Sequence, residues 1–323
     1  DFGLDSRLLS AREASALIPD AAPGLWQGAL HTPSDARAEP FVAVPMMAAA
    51  LRDRGGHVVE GCAVRALDIQ AGRVVGVVTE AGRIRADAVV LTGGAWSSLL
   101  LRRHGVGLPQ LSVLSSVAAT EPGPAFFPGA LADSDFAIRR RADGGYTLAP
   151  GSSHRFFIGP DAFRHLSAFR ALVKDSWRST GFRPMAPRGY PDAWSTPRQW
   201  PEDGPSPFEA LRILNPEPDR AALERARQAM RRAFPGQAEP RLRLTWAGMI
   251  DTMPDVVPVL DHVDALPGLV LGTGLSGHGF GIGPAIGRVL ADLVTGRAGG
   301  HDLSRFRMAR FRDGSAIAPG PAL

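Results

Sequence analysis

The amino-acid sequence predicts a mixed α/β fold of one large domain or two smaller ones, and three stretches carry that expectation. Near the C-terminus, the apolar run Gly268-Leu269-Val270-Leu271 leads through a glycine-rich segment to Pro284 and then into the amphipathic stretch Ala285 to Leu293. This pattern reads as strand, tight turn and helix. Earlier, Ala88-Val89-Val90-Leu91-Thr92-Gly93-Gly94-Ala95-Trp96 reads as an apolar strand closing on a glycine pair. Open α/β sheets bind ligands at that carboxyl edge. Between these two stretches, from 108 to 243, short alternating strands are separated by loops rich in proline and glycine.

Taken in order, Ser10 to Ile18 opens with an N-cap serine and a glutamate three residues on, so a helix is expected until Pro19 stops it. A second helix is expected from Phe41 or Pro45 to Arg54, ended by Gly55-Gly56. His57 to Glu60 looks strand-like, and Cys62 behind it reads as core rather than reactive. Strands follow at Val64 to Ile69, Val74 to Thr79 and Ile84 to Val90, with turns at Ala71-Gly72 and Ala81-Gly82. Further strands are expected at Ser112 to Thr120, Phe136 to Arg140 and Tyr146 to Ala149, with Gly144-Gly145 as a hairpin turn. Helical spacing marks Ala162 to Trp177 and Arg220 to Phe234. Residues 181 to 218 are dense in proline and aromatic side chains and read as a long ordered loop over a pocket or a surface excursion. The last residues turn basic and end in a peripheral tail.

Composition narrows the function. The 323 residues are long enough to bury a substantial core. The formal charge is +4, but the basic side is almost wholly arginine, with Lys174 the one lysine, and no nucleic-acid-binding motif accompanies it. A single cysteine rules out an intrachain disulfide, and eight scattered histidines show no metal-ligand spacing. No apolar run reaches the roughly 18 residues of a membrane span. A cytoplasmic protein is expected, with peripheral membrane association left to sequence outside this chain. Glycines let backbone approach a ligand closely, and a helix start offers unpaired N–H groups to an anion or an electron-rich carbonyl. The segment 272 to 284 therefore suits a large polar cofactor better than a plain structural turn.

Several blocks, in order, resemble one family. They are Asp35-Ala36-Arg37-Ala38-Glu39-Pro40 before a helix, Val64-x-x-Leu67, Ala86 to Ser97, Trp246-Ala247-Gly248, Pro254-Asp255-x-x-Pro258, and Thr273-Gly274-x-Ser276-Gly277-His278-Gly279-Phe280. Together they resemble the D-amino-acid oxidase and glycine/sarcosine oxidase superfamily of FAD-dependent oxidoreductases. The lysine of sarcosine oxidases is replaced by Gly281, and their covalent-flavin cysteine has no counterpart. The pattern looks closer to amino-acid deaminases and dehydrogenases.

The resemblance implies a glutathione-reductase-like FAD-binding domain, incomplete at its N-terminus, and a substrate domain built on an antiparallel sheet. The FAD-binding parts would be 1–107 and 244–298, the substrate domain 108–243, and the tail 299–323. The family's G-x-G-x-x-G fingerprint near the start is absent, which implies roughly 100 or more N-terminal residues that are supplied by a companion chain, cleaved from the mature protein, or left out of the sequence before Asp1. The implied activity is oxidation of the C–N bond of an amino acid or amine by hydride transfer to flavin N5, giving an imine that hydrolyses to an oxo acid. Oxygen or an electron-transfer partner would be the acceptor. Two alternatives stay open: a 2-hydroxy-acid dehydrogenase, and a noncatalytic subunit whose flavin site a partner completes.

The same resemblance assigns cofactor contacts to Val64, Thr92, Gly93, Gly94, Trp96, Gly274, Leu275, Ser276, Gly277, His278, Gly279 and Phe280. Val64 would meet the adenine and the 274–280 loop the isoalloxazine. Around the substrate, His278 and Trp246 are candidates for the reacting end. An arginine is wanted for a carboxylate because a guanidinium binds it bidentately. Arg155, with Arg139, Arg141 and Arg183, is the candidate for that role, and Tyr146 and Tyr190 for lining the pocket.

Overall fold

The N-terminal capping signature folds as its chemistry requires. In the computed structural model, which describes residues 3–318 and 320, strand β1 (Arg7–Ser10) ends at Ser10. The Ser10 hydroxyl accepts the Glu13 N–H while the Glu13 carboxylate accepts the Ser10 N–H, and helix α1 (Ala11–Leu17) starts there. Strand β2 (Gly28–His31) pairs antiparallel with β1. Helix α2 (Pro40–Asp53) begins with a proline whose missing N–H has no helical partner to lose. Strands β3 (Val64–Gln70), β4 (Arg73–Thr79) and β5 (Gly82–Arg85) form an antiparallel sheet. They are followed by β6 (Val89–Leu91), helix α3 (Ser97–Arg103) and the long β7 (Leu111–Thr120).

The middle of the chain contributes β8 (Ala130–Ala132), β9 (Phe136–Arg140), β10 (Tyr146–Pro150) and β11 (His154–Phe157). Helices α4 (Pro160–Arg164) and α5 (Leu166–Ser176) come next, then β12 (Thr180–Arg183), the short α6 (Pro207–Ala210) and α7 (Arg220–Ala233). The chain closes with β13 (Leu242–Thr252), β14 (Val259–His262), β15 (Leu269–Thr273) and α8 (Gly279–Thr295).

Two compact units emerge, each with its own core. The first takes residues 1–58, 115–153 and 217–247. In it, β8, β9, β10 and the second half of β7 lie side by side in antiparallel register. Helix α7 covers β9 and β10. Its buried residues Ala222, Leu223, Ala226, Ala229, Met230 and Ala233 recur at helical spacing and meet Ala118, Phe136, Ile138, Tyr146 and Leu148. The second unit takes 59–114, 154–216 and 248–323. It holds the β3-β4-β5 sheet and a second sheet ordered β14-β15-β6, in which β15 and β6 run parallel. Leu67, Val74, Leu101, Met253, Leu269 and Leu271 fill the space beneath them.

Several expectations are corrected. The single strand Ile84 to Val90 is two strands, because the chain leaves β4 after Arg85 and joins β15 at Val89. His57 to Glu60 is not a strand, and Cys62 is half-buried on the wall of a cavity instead of packed in a core. The helix of 162 to 177 breaks at His165 into α4 and α5. Helix α8 starts at Gly279, six residues before Ala285, so Gly279 to Pro284 are helical. The C-terminal stretch is anchored, because the buried Arg310 grips Asp255 through Nε–Oδ2 at 2.7 Å and Nη2–Oδ1 at 3.0 Å. Pro319 and residues 321–323 of the expected tail lie outside the described residues.

Candidate functional site

The parallel pairing of Leu269 with Val89 and Leu271 with Leu91 makes both strands end at one edge of the sheet. Thr92-Gly93-Gly94 and Thr273-Gly274 therefore leave it together. The Thr273 hydroxyl lies 3.3 Å from the Gly94 carbonyl and 3.1 Å from the Ser97 hydroxyl, which joins the two segments directly.

A buried carboxylate organises the turn that follows. Asp251 Oδ2 accepts the Gly274 N–H at 2.6 Å, lies 3.1 Å from the Thr273 hydroxyl, and accepts the Gln110 side-chain amide at 3.2 Å. Gln110 also donates to Thr273 at 2.9 Å, and its carbonyl accepts the Ser98 N–H at 3.1 Å. The Ser276 N–H donates to the Asp251 main-chain carbonyl at 2.9 Å, and the Ser276 hydroxyl accepts the Met253 N–H at 3.3 Å. These bonds hold three residues in left-handed backbone: Gly274 at φ 75°, Ser276 at 49° and Gly277 at 84°. A side chain is also barred sterically at Gly274, where a Cβ would sit 2.2 Å from Met253 Cγ. Sequence reading missed Gln110 and the role of Asp251, since the partners are far apart in the chain and only folding brings them together.

The turn delivers the start of α8. Its first N–H groups have no helical acceptor, and His278 at the N-cap makes no side-chain cap bond. A Cβ placed on Gly94, Gly281 or Gly283 would meet no atom within 4 Å, so backbone there is open to close approach. Donor N–H groups, bare backbone and an adjoining cavity are what a planar heterocycle with a diphosphate tail needs, and the residues present fit FAD.

That cavity, of about 470 Å³, is lined by Val64, Gly93 and Trp96 together with Phe208, Arg212 and Ile213. The Trp96 and Phe208 rings meet edge to face at 5.5 Å. Arg65 holds Glu209 through bonds of 3.0 and 2.6 Å, and Arg212 holds Glu80 through bonds of 2.6 and 2.7 Å. The Glu80 carboxylate also accepts the Ala63 N–H at 2.6 Å. Arg212 draws the Glu80 carboxyl down to about 2, and Arg65 does the same to Glu209.

The remaining candidates are placed as follows. His278 is exposed, with its main-chain N–H on the Leu275 carbonyl. Arg155 is half-buried on β11 of the second unit, beside Leu114. Trp246 belongs to the first unit and stands edge-on to Phe41 at 6.1 Å. Arg139 is held by Glu39 at 3.0 and 3.2 Å, and Arg141 by Asp143, so both guanidiniums are taken. Tyr146 is corrected from a pocket residue to a core residue. It is buried, stacked on Phe126, and its hydroxyl bonds the Phe126 and Phe127 N–H groups and the Phe127 carbonyl. Among the described residues, no three histidine, cysteine or acidic side chains are grouped to hold a metal ion.

Comparison with known proteins adds three findings. Residues 1–293 match the family model described as FAD dependent oxidoreductase. Glycine oxidase of Pseudomonas aeruginosa is 28% identical over 226 residues, covering 70% of this chain and 46% of that protein. D-amino acid dehydrogenase 2 of Mesorhizobium japonicum is 28% identical over 277 residues, covering 84% and 52%. The chain thus spans about half the length of these curated relatives. Among solved structures, L-amino acid deaminase from Proteus vulgaris superposes with a TM-score of 0.87 at 27% identity, covering 96% of this chain and 71% of its own. The L-amino acid deaminase of Proteus myxofaciens, in complex with anthranilate, gives 0.88 at 29% identity, covering 97% and 69%.

Proposed function

This chain belongs to the FAD-dependent oxidoreductase family, and on that premise we propose that it oxidises the C–N bond of an amino acid or amine, with release of an oxo acid after hydrolysis of the imine. FAD supplies the two-electron acceptor when bound. The observation that carries the reading is the meeting of Thr92–Trp96 with Thr273 and the turn it opens at one sheet edge, beside bare backbone and the uncapped start of α8. Gly274, Leu275, Ser276, Gly277, Gly279 and Phe280 hold the ring, with the helix start stabilising negative charge there by about 0.3–1 kcal/mol. Thr92, Gly93, Gly94, Trp96 and Val64 line the rest of the cofactor.

His278, exposed beside this loop, orients the substrate, and Arg155 pairs with its carboxylate. Trp246 is a further candidate for contact with substrate. The substrate domain is assigned to 108–243 and the FAD-binding parts to 1–107 and 244–298. The acceptor is oxygen or an electron-transfer partner, and the cytoplasm is the assigned location; among the described residues no helix is long and apolar enough to cross a membrane. The dinucleotide fingerprint is assigned to a further segment or companion chain. In support, β6 is an edge strand of its sheet among the described residues, with Val90 40% exposed.

The test is a flavin spectrum of the protein isolated from its source, followed by anaerobic additions. Amino acids or secondary amines are expected to bleach the flavin bands. Bleaching by 2-hydroxy acids alone would overturn the assignment.

A further inference from the structure

Residues Ser206 to Ile213 come from the proline- and aromatic-rich stretch, far in sequence from the strands they cover. Three of them, Phe208, Arg212 and Ile213, nonetheless line the same cavity as Val64, Gly93 and Trp96. Their placement is heavily determined. Ser206 and Glu209 form a reciprocal cap, and the same Glu209 carboxylate is gripped by Arg65 on β3. The next turn is gripped again, by Arg212 on Glu80 at the end of β4. Phe208, fixed between these two ion pairs, sets its ring edge to face against Trp96 at 5.5 Å and Trp200 at 5.4 Å.

We propose that Ser206–Ile213 is a retaining strap for the purine-nucleotide half of FAD, with Phe208 as the ring that closes on the base and Arg65–Glu209 and Arg212–Glu80 as its two fasteners. This inference rests on the flavin reading of the site. The cavity volume of about 470 Å³ falls in the range of about 300–1,000 Å³ found for small-molecule sites. Its lining is apolar apart from the Arg212 guanidinium, which suits a flat, electron-rich base beside an anionic tail. Because a strap governs escape more than entry, the term it changes is the dissociation rate.

The experiment compares holoprotein carrying wild-type sequence with Phe208→Ala and Arg212→Gln. It follows FAD release by recovery of flavin fluorescence, and measures affinity for FMN, which lacks the purine nucleotide. Loss of a stacking ring is expected to speed FAD release by about tenfold to a hundredfold, with FMN affinity unchanged. Arg212→Gln is expected to act in the same direction. Equal weakening of FAD and FMN, or unchanged FAD release, would overturn the strap while leaving the flavin reading intact. Wild-type protein isolated from its source that holds no flavin at all would overturn both.

Discussion

Replacing Asp251 by alanine would strand the Gly274 N–H and take away one partner each from the Thr273 hydroxyl and the Gln110 amide, which keep their bonds to Gly94, Ser97 and one another. A buried donor left unsatisfied costs about 1–3 kcal/mol, and the variant is expected to lose about that much. Hydrogen exchange at the Gly274 amide, slow in the parent protein, should become fast. Unchanged exchange would show that the turn holds itself. Two other side chains make stability depend on pH with opposite signs. His104 accepts the Leu67 N–H on Nε2 at 3.0 Å, and burial, aided by Arg103, pushes its pKa down to about 4. The unfolded chain then binds the proton more readily, so its contribution is lost as pH falls from about 6.5 through about 4. In His104→Gln the urea midpoint should fall less between about pH 7 and about pH 4.5.

Asp192 runs the other way. Burial, followed by the neighbouring Asp161 carboxylate, pushes it up to about 7, although Arg198 lies against it at 3.1 Å. Arg102 and Arg164 are paired with Asp161 in the same cluster. Here the folded state holds the proton, so stability is lost as pH rises through about 7. Asp192→Asn should gain stability over the parent at about pH 8 relative to about pH 5, and an equal difference at both would refute the assignment.

At the scale of elements, helix α7 shows what periodicity can reveal. Its apolar positions were readable because a helix facing one sheet must repeat its buried residues every three or four positions. Leu223, 1% exposed beneath it, is expected to cost about 3 kcal/mol when changed to alanine, measured by chemical denaturation. The capping box at Ser10 and the strand leading to Thr92-Gly93-Gly94 were legible for the same reason, since each is a local signal. Boundaries set by tertiary pairing were not. Nothing local says that Arg85 ends one strand and Val89 begins another, because the change of partner from β4 to β15 decides it. The glycines of 279–283 likewise read as turn by propensity, yet they are helical. The candidate loop was found because glycine advertises close approach, whereas Gln110, Arg65 and Glu80 carry no signature until partners 140 or so residues away arrive.

For the whole molecule, the division into two units has a consequence in the buried ion pair between Arg310 and Asp255. Removing the chain from Arg310 onward would leave a 5% exposed aspartate without its guanidinium, and breaking such a pair costs about 3–5 kcal/mol. Truncation after Ala309 is therefore expected to lower the thermal midpoint of the second unit, as read by a calorimetric scan. During translation the order of events follows. Of the residues of this chain, the last that the first unit uses is Ala247, while the second still waits on the guanidinium of Arg310. A nascent chain stalled between Ala247 and Arg310 would hold every one of these residues of the first unit while the second stayed open to proteases and chaperones.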